Sequence, residues 1–278
     1  MTSDLSRARL ESGEVVRVER FGSLIEISVV LPHLAAEALP GQFAQLRCGP
    51  GPVPLLRRPF SVAWVEDGIC AFVFEEVGAG TRLLGALTPG DELEVVGPLG
   101  RGFTLDPGVD ACVIVSGGVG CAPFPLLVRR LVERGLRDIT VLSGAANTAR
   151  LYPAPRFSRG AAIDVRETTD DGSRGERGVV TELMRDTTVE GRAIYACGPN
   201  RMLAALWDVV GDAGRRAPVE ASLEAPMGCG FGTCLGCALP VRGNGSPRWA
   251  LCCTDGPVMS MREVDWRAIN ALPGPDVA

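Results

Sequence analysis

Residues 111–123 read Ala111-Cys112-Val113-Ile114-Val115-Ser116-Gly117-Gly118-Val119-Gly120-Cys121-Ala122-Pro123. An apolar run, a glycine-rich stretch and then a helical pattern as far as Arg134 predict a strand, a tight loop and a helix. In this setting a glycine-rich loop can bind the phosphates of a dinucleotide. Two further apolar runs, Ile139–Leu142 and Ala193–Cys197, alternate with helical patterns. The middle third of the chain is therefore predicted to be a parallel α/β domain.

Short strands separated by turn signals precede this unit. The predicted strands are Leu24–Val30, Phe43–Leu46, Phe60–Trp64, Cys70–Phe74 and Glu92–Val96. Such spacing is typical of a small antiparallel β-barrel, in which we expect one short helix near Thr81–Leu87. After Pro218, glycine and cysteine dominate and regular periodicity fades. We expect a β plus α/β protein divided into residues 1–105 (barrel), 106–217 (α/β) and 218–278 (metal-cluster segment).

Composition and charge exclude several classes of protein. The formal charge of −5 and the lack of a basic stripe argue against a nucleic-acid partner. The N-terminus, Met1–Ser6, lacks the charged start and apolar run of a secretory signal, and no stretch approaches 18 apolar residues. We therefore expect a cytoplasmic protein with no membrane partner.

Five of the ten cysteines lie close together near the C-terminus. Cys229, Cys234 and Cys237 form the spacing C-x4-C-x2-C, and the pair Cys252 and Cys253 follows. This is the plant-type spacing of a [2Fe-2S] cluster. The glycines between these cysteines let the backbone wrap closely and direct N–H groups at sulfur, which raises the reduction potential.

Other interpretations of the cysteine cluster are a zinc site or unligated thiols. Zinc sites usually contain paired C-x2-C units, whereas only one side has that spacing here. Five free thiols in a glycine-rich segment would be prone to oxidation. Spacing alone leaves open whether Cys252 or Cys253 is the fourth ligand.

Three other motifs fit cofactor binding. Arg57-Arg58-Pro59-Phe60-Ser61 begins a barrel strand, and Val77-Gly78-Ala79-Gly80-Thr81 opens the short helix. An arginine fork with a glycine-rich helix start can clamp a diphosphate. Tyr195-Ala196-Cys197-Gly198-Pro199-Asn200 ends a predicted strand, where open parallel sheets bind ligands. Each of these motifs is also common as a plain turn.

Taken in order, R-P-x-S, G-x-G-T, G-G-x-G-x-x-P and C-G-P resemble the ferredoxin–NADP reductase superfamily. The later C-x4-C-x2-C and the ending Cys253-Thr254-Asp255-Gly256-Pro257-Val258 resemble, more specifically, the electron-transfer subunits of dihydroorotate dehydrogenase B. The resemblance covers most of the chain.

The resemblance assigns residues to three redox groups. The residues it implies for FAD are Arg58, Pro59, Phe60, Ser61, Val73, Phe74, Glu75, Gly80 and Thr81. Those implied for the nicotinamide nucleotide are Gly117, Gly118, Gly120, Cys197, Gly198 and Pro199. The implied cluster ligands are Cys229, Cys234, Cys237 and Cys253, which would leave Cys252 as a small buried apolar residue.

The resemblance also implies a function in de novo pyrimidine (UMP) biosynthesis. An FMN-containing catalytic subunit would oxidise dihydroorotate, and electrons would pass through the cluster and FAD to NAD as co-substrate. A heterotetramer with two of each subunit is implied. A flavin belongs between the other two groups, because a cluster carries single electrons and nicotinamide takes a hydride. We expect no general acid–base pair.

Several alternatives remain open from the sequence. The same motifs suit an NAD(P)H-dependent reductase for a hydrogenase, glutamate synthase or oxygenase, with electrons flowing outward. A redox sensor without turnover is a third interpretation. The loop Ser143–Arg150 has no acidic residue for the ribose of NAD, and Arg150 could face a 2′-phosphate, so NAD over NADP follows from the resemblance alone.

Overall fold

The computed structural model describes residues 5–49, 51–105, 110–211, 218–243 and 246–272. Its N-terminal part is a closed antiparallel barrel in the order β1-β2-β5-β4-β3-β6. The strands are β1 (Arg9–Phe21), β2 (Leu24–Val30), β3 (Phe43–Leu46), β4 (Arg58–Glu66), β5 (Ile69–Glu75) and β6 (Glu92–Leu99). Strand β1 has 13 residues, so its first half pairs with β6 and its second half with β2, which closes the barrel.

Two short helices accompany the barrel, α1 (Pro32–Glu37) and α2 (Ala79–Gly85). The sequence predicted one helix here, near Thr81–Leu87, so the expected number is wrong. Helix α1 has six residues and a proline in its first turn, and Leu34 alone is buried. Because so short a helix buries one side chain, it leaves no 3.6-residue pattern to detect.

The second part is a seven-stranded sheet in the order β10-β9-β8-β7-β11-β12-β15. Its strands are β7 (Ala111–Gly117), β8 (Asp138–Ala145), β9 (Asp164–Thr169), β10 (Glu176–Arg177), β11 (Ala193–Cys197), β12 (Val219–Ser222) and β15 (Val258–Ser260). All neighbours are parallel except β12 and β15. The last two strands come from the segment after Pro218, where three or four residues are too few to show a period.

Helices cover both faces of the sheet. Helices α3 (Phe124–Glu133) and α4 (Ala154–Ser158) pack into one hydrophobic core, whereas α5 (Val180–Arg185) and α6 (Asn200–Val210) pack into another. A hairpin of β13 (Ala238–Gly243) and β14 (Ser246–Leu251) and helix α7 (Trp266–Ala271) complete the described chain. No helix among the described residues is long and apolar enough to span a bilayer.

A buried polar group joins the barrel to the sheet. Glu26, which is fully buried on β2, accepts hydrogen bonds from Trp64 Nε1 (3.0 Å) and Tyr152 Oη (2.6 Å). The guanidinium of Arg156 lies 3.5 Å from the same carboxylate. Since Tyr152 and Arg156 belong to the α/β part, these contacts fix its position against the barrel.

Candidate cofactor cavity and cluster site

One cavity of about 260 Å³ lies where the barrel, the sheet and the C-terminal segment meet. It collects residues that are far apart in the sequence. Its lining comprises Phe43, Pro59, Phe60, Ser61, Val73, Phe74, Glu75, Val77, Thr81, Val119, Gly120, Ala122, Cys197, Ser222, Leu223, Glu224, Ala225, Met227 and Pro257. Residues expected to bind FAD and residues expected to bind the nicotinamide nucleotide thus face one space.

The barrel side of the cavity is formed by β4 and β5. The rings of Phe60 and Phe74 lie 5.2 Å apart and give this side an apolar surface. The Thr81 hydroxyl accepts N–H groups from Val77 (2.9 Å) and Gly78 (3.0 Å). These bonds hold the turn before α2 rigidly, as a ligand site on a loop requires.

Arg58 and Gly80 lie together just outside the cavity lining. A methyl group at Gly80 would lie 3.4 Å from Arg58 Nε and 3.0 Å from Cys48 Sγ, so glycine lets the arginine cross the first turn of α2. The preceding Arg57 instead forms an ion pair with Glu94. The predicted arginine and the predicted glycine-rich helix start are therefore adjacent.

Glu75 closes one edge of the cavity with a side chain that is 8% exposed. Burial raises the pKa of this carboxyl, but hydrogen bonds from Arg150 Nε (2.9 Å) and Ser23 Oγ (2.7 Å) outweigh it, and the net pKa is below its ordinary value. Arg150 is therefore oriented by Glu75, while its side chain remains 47% exposed.

The nucleotide loop and the C-G-P loop meet at the carboxyl ends of β7 and β11. Strands β8 to β10 lie on one side of β7, whereas β11, β12 and β15 lie on its other side. Ligands of such sheets usually bind at this switch in strand order. A methyl group at Gly120 would lie 2.4 Å from the carbonyl oxygen of Cys197. One at Gly117 would lie 2.3 Å from Met202 Sδ and 3.4 Å from Pro199 Cδ. Glycine therefore allows the two loops to touch.

Gly118 and Cys197 differ in their surroundings. Gly118 has φ +55° and open space where a side chain would be, so a ligand can approach its backbone. Cys197 is buried beside the cavity, and burial raises its pKa to about 12. Its thiol is thus neutral at pH 7 and not a thiolate nucleophile.

The cluster cysteines form two pairs. Cys229 Sγ lies 3.5 Å from the amide nitrogen of Cys234, and Cys237 Sγ lies 3.2 Å from Cys253 Sγ. A methyl group at Gly232 would lie 3.0 Å from Thr254 Cγ2, so the first cysteine loop packs on the turn that carries Cys253. Backbone amides point at sulfur, as in the 3.4 Å contact from Cys253 N to Cys237 Sγ.

These donors fit a [2Fe-2S] cluster better than a single metal ion. In the part of the chain that the structure describes, no three His, Cys, Asp or Glu side chains converge closely enough to hold one ion. The pairing of Cys229 with Cys234 and of Cys237 with Cys253 suits two irons with two cysteines each. Cys252 faces away, because its thiol contacts the carbonyl oxygen of Leu223 at 3.4 Å.

Two family models match the chain. The iron–sulfur cluster binding domain of dihydroorotate dehydrogenase B matches residues 224–265, and the oxidoreductase NAD-binding domain matches residues 114–207. The electron transfer subunit of dihydroorotate dehydrogenase B (NAD(+)) from Desulforamulus reducens is 38% identical over 243 residues, which cover 84% of this chain and 90% of that protein. The subunit from Geobacillus thermodenitrificans is 38% identical over 229 residues, covering 81% and 86%. The chain belongs to this family of electron transfer subunits.

Solved structures agree with this assignment. An NADH-dependent reduced ferredoxin-NADP oxidoreductase, studied for flavin-based electron bifurcation, aligns with a TM-score of 0.77 at 29% identity, covering 93% of this chain and 91% of that one. The ferredoxin reductase of carbazole 1,9a-dioxygenase aligns with a TM-score of 0.64 at 19% identity, covering 77% and 69%, which shows a shared fold. The predicted fold class is confirmed.

As an electron transfer subunit, the chain is an oxidoreductase that works with a catalytic partner subunit. Its redox groups are FAD, a [2Fe-2S] cluster and NAD, as predicted. FAD exchanges electrons singly with a cluster and in pairs with nicotinamide.

Sequence reasoning missed part of the cavity. Phe43 lies on β3 directly opposite Ser61, so correct pairing of two predicted strands could have identified it. Ser222 ends β12, a four-residue strand with no detectable period, and residues 223–225 and Met227 follow it. The cavity therefore takes one wall from the segment that leads into the cluster loop.

Proposed function

We propose that this subunit carries electrons from an FMN-containing dihydroorotate dehydrogenase catalytic subunit to NAD+ in de novo pyrimidine biosynthesis. The observation that carries the proposal is the shared cavity, whose walls come from the barrel motif, the nucleotide loops and the approach to the cluster loop. Such an arrangement holds the three redox groups in the order cluster, FAD and nicotinamide nucleotide. The residues of the chain bind these groups, orient them and exclude water between them.

For FAD we propose the nine residues expected from the sequence, with Arg58 and Gly80 at the diphosphate and the others along the cavity. Contact between Arg58 and the first turn of α2 supports the placement of Arg58 and Gly80 at the diphosphate. The placement of the other seven residues along the cavity is supported by its lining, which includes Pro59, Phe60, Ser61, Val73, Phe74, Glu75 and Thr81.

For the nicotinamide nucleotide we propose Gly117, Gly118 and Gly120, with Cys197, Gly198 and Pro199 near the reactive ring. Contact between the two loops and the cavity position of Gly120 and Cys197 support this. The likeness to relatives named as NAD(+) electron transfer subunits supports NAD over NADP.

For the cluster we propose Cys229, Cys234, Cys237 and Cys253 as ligands. The two close pairs support this set, and the contact of Cys252 with the Leu223 carbonyl supports its exclusion.

We also propose residues 1–105, 106–217 and 218–278 as a division by cofactor. Strands β12 and β15 of the last part add to the sheet of the second.

For the partner we propose docking beside the cluster, on the exposed apolar side chains of Phe231 and Leu235 in the cysteine loop and of Trp249 on β14. Their side chains are exposed by 46%, 63% and 64%, and exposed apolar patches commonly mark interfaces. Two copies of each subunit would form a heterotetramer. We propose the cytoplasm as its location and no nucleic-acid or membrane partner.

The test is anaerobic purification of the chain with a co-expressed FMN-containing catalytic subunit, followed by iron, sulfide, FAD and FMN analysis. We expect about two irons and one FAD per chain, and NADH formation from dihydroorotate. Absence of either group from the wild-type chain would refute the proposal. NAD(P)H-dependent reduction of dyes without dihydroorotate-dependent NADH formation would instead support an outward reductase for another partner.

A further inference from the structure

Gln45 is a buried amide with no hydrogen-bond partner. Its side chain is 1% exposed, and neither Nε2 nor Oε1 has a partner among the described residues. Nearby Gln42 provides a contrast, since its Nε2 donates to the Gly100 carbonyl at 2.8 Å and its Oε1 accepts from Leu39 N at 2.9 Å. A fully buried polar group without a partner is costly, so the position of Gln45 calls for one.

Strand register places Gln45 on the outer face of the barrel. Ala44 and Leu46, its neighbours on β3, belong to the core inside the barrel, whereas Phe43 lines the cofactor cavity. Side chains alternate along a strand, so Gln45 shares the face of Phe43. Pro59, directly opposite on β4, also lines the cavity.

The same side chain lies against the cluster loop. A methyl group at Gly230 would lie 2.7 Å from Gln45 Nε2 and 2.8 Å from its Cγ, so glycine at this position makes room for the amide. Gly230 is buried and directly follows Cys229, with φ +87°. Gln45 therefore lies between the flavin cavity and the sulfur-bearing loop.

We propose that Gln45 Nε2 donates a hydrogen bond to a sulfur of the [2Fe-2S] cluster and thereby raises the cluster's reduction potential. The proposal rests on the cluster ligands given under the proposed function. No acceptor in the described protein lies within hydrogen-bonding distance of Nε2, whereas sulfide and thiolate are acceptors that the cluster adds beside Gly230. A donor to sulfur stabilises the more negative, reduced cluster.

The test is an anaerobic redox titration of the full chain, loaded with FAD and cluster and followed by EPR. Gln45→Met keeps the length of the side chain and removes the N–H. At the wild-type midpoint potential we expect its ratio of reduced to oxidised cluster to fall about tenfold, a shift of about 59 mV for one electron. Replacing H2O by D2O should shift the Fe–S Raman bands less in this variant than in wild type.

Gln42→Leu is the matched control, because it removes an amide whose partners are backbone groups. Its cluster midpoint should equal that of wild type. If Gln45→Met fails to load iron, the same titration of Gln45→Asn, which withdraws the amide by one methylene, decides in the same way.

Two results would overturn the proposal. One is an unchanged cluster midpoint in Gln45 variants with wild-type iron and sulfide contents, which would mean that the amide binds only water. The other is a shift of the FAD potential in place of the cluster potential. Wild-type chain lacking two irons would instead refute the proposed function itself, so the two failures are distinguishable.

Discussion

Asn200 and Glu224 exchange two hydrogen bonds. Asn200 Nδ2 donates to the Glu224 carbonyl oxygen at 2.9 Å, and its Oδ1 accepts from the Glu224 amide at 3.2 Å. Asn200 begins α6 directly after the C-G-P loop, whereas Glu224 lies in the cavity wall that leads to the cluster. The pair therefore ties the proposed nicotinamide site to the proposed cluster segment.

Asn200→Ala should remove both bonds and let the cavity wall move away from the C-G-P loop. We expect a loss of about 1–3 kcal/mol in the free energy of unfolding. NADH-dependent dye reduction should fall about tenfold, because a small misplacement of reacting groups is costly. Asp91→Ala is the control, since it loses two hydrogen bonds from Thr88 in an exposed barrel turn. Equal activity losses in both variants would contradict the role given to Asn200.

Adjacent cysteines provide a second test. Cys253 Sγ lies 3.2 Å from Cys237 Sγ, whereas Cys252 contacts the Leu223 carbonyl. Cys253→Ser should lower bound iron and the visible absorbance of the cluster at least about tenfold, because a thiolate ligand is lost. Cys252→Ser should keep about two irons per chain. Iron and sulfide analysis after anaerobic purification measures both, and the reverse pattern would assign Cys252 as the ligand.

The motifs could be predicted from the sequence, whereas their arrangement around one cavity could not. The loop at residues 117–120 and the run Cys229–Cys237 could be identified because fixed spacings of glycine and cysteine carry chemistry in themselves. Gln45 and Glu224 could not, because their positions depend on strand register and on a short strand without periodicity. Helix α1 was missed for the same physical reason, since six residues bury one side chain.

The ion pair of Glu75 and Arg150 predicts a pH-dependent stability. Hydrogen bonds from Arg150 and Ser23 outweigh burial and hold the pKa of Glu75 below its ordinary value of 4.5. A lowered pKa stabilises the fold above pH 4.5 and loses that effect as the pH falls through the folded pKa. Glu75→Gln should therefore cost about 1–3 kcal/mol at pH 7 and less at pH 3. Urea unfolding of the FAD-free chain at both pH values measures this, and a pH-independent difference would argue against it.

Two neighbouring arginines separate flavin binding from stability. Arg58 crosses the first turn of α2, whereas Arg57 forms an ion pair with Glu94. Arg58→Ala should weaken FAD binding about ten- to hundredfold, because a charge-assisted hydrogen bond to phosphate is lost. Arg57→Ala should change the Kd for FAD less than about threefold while lowering the thermal midpoint. Fluorescence titration of the flavin-free chain measures both, and a larger effect at Arg57 would reassign the clamp.

Leu235 combines exposure with a left-handed backbone. Its side chain is 63% exposed and its φ is +58°, a region that leucine rarely adopts and aspartate tolerates. Leu235→Asp should therefore keep the cluster loop intact while placing a charge on the proposed partner surface. We expect binding of the catalytic subunit to weaken at least about tenfold. NADH-dependent dye reduction, which needs no partner, should stay within about twofold of wild type. Leu55→Asp, at an 84% exposed leucine in the loop between β3 and β4, is the control and should leave binding unchanged. If both variants bind the catalytic subunit equally well, the partner docks elsewhere and the surface around the cluster serves another contact.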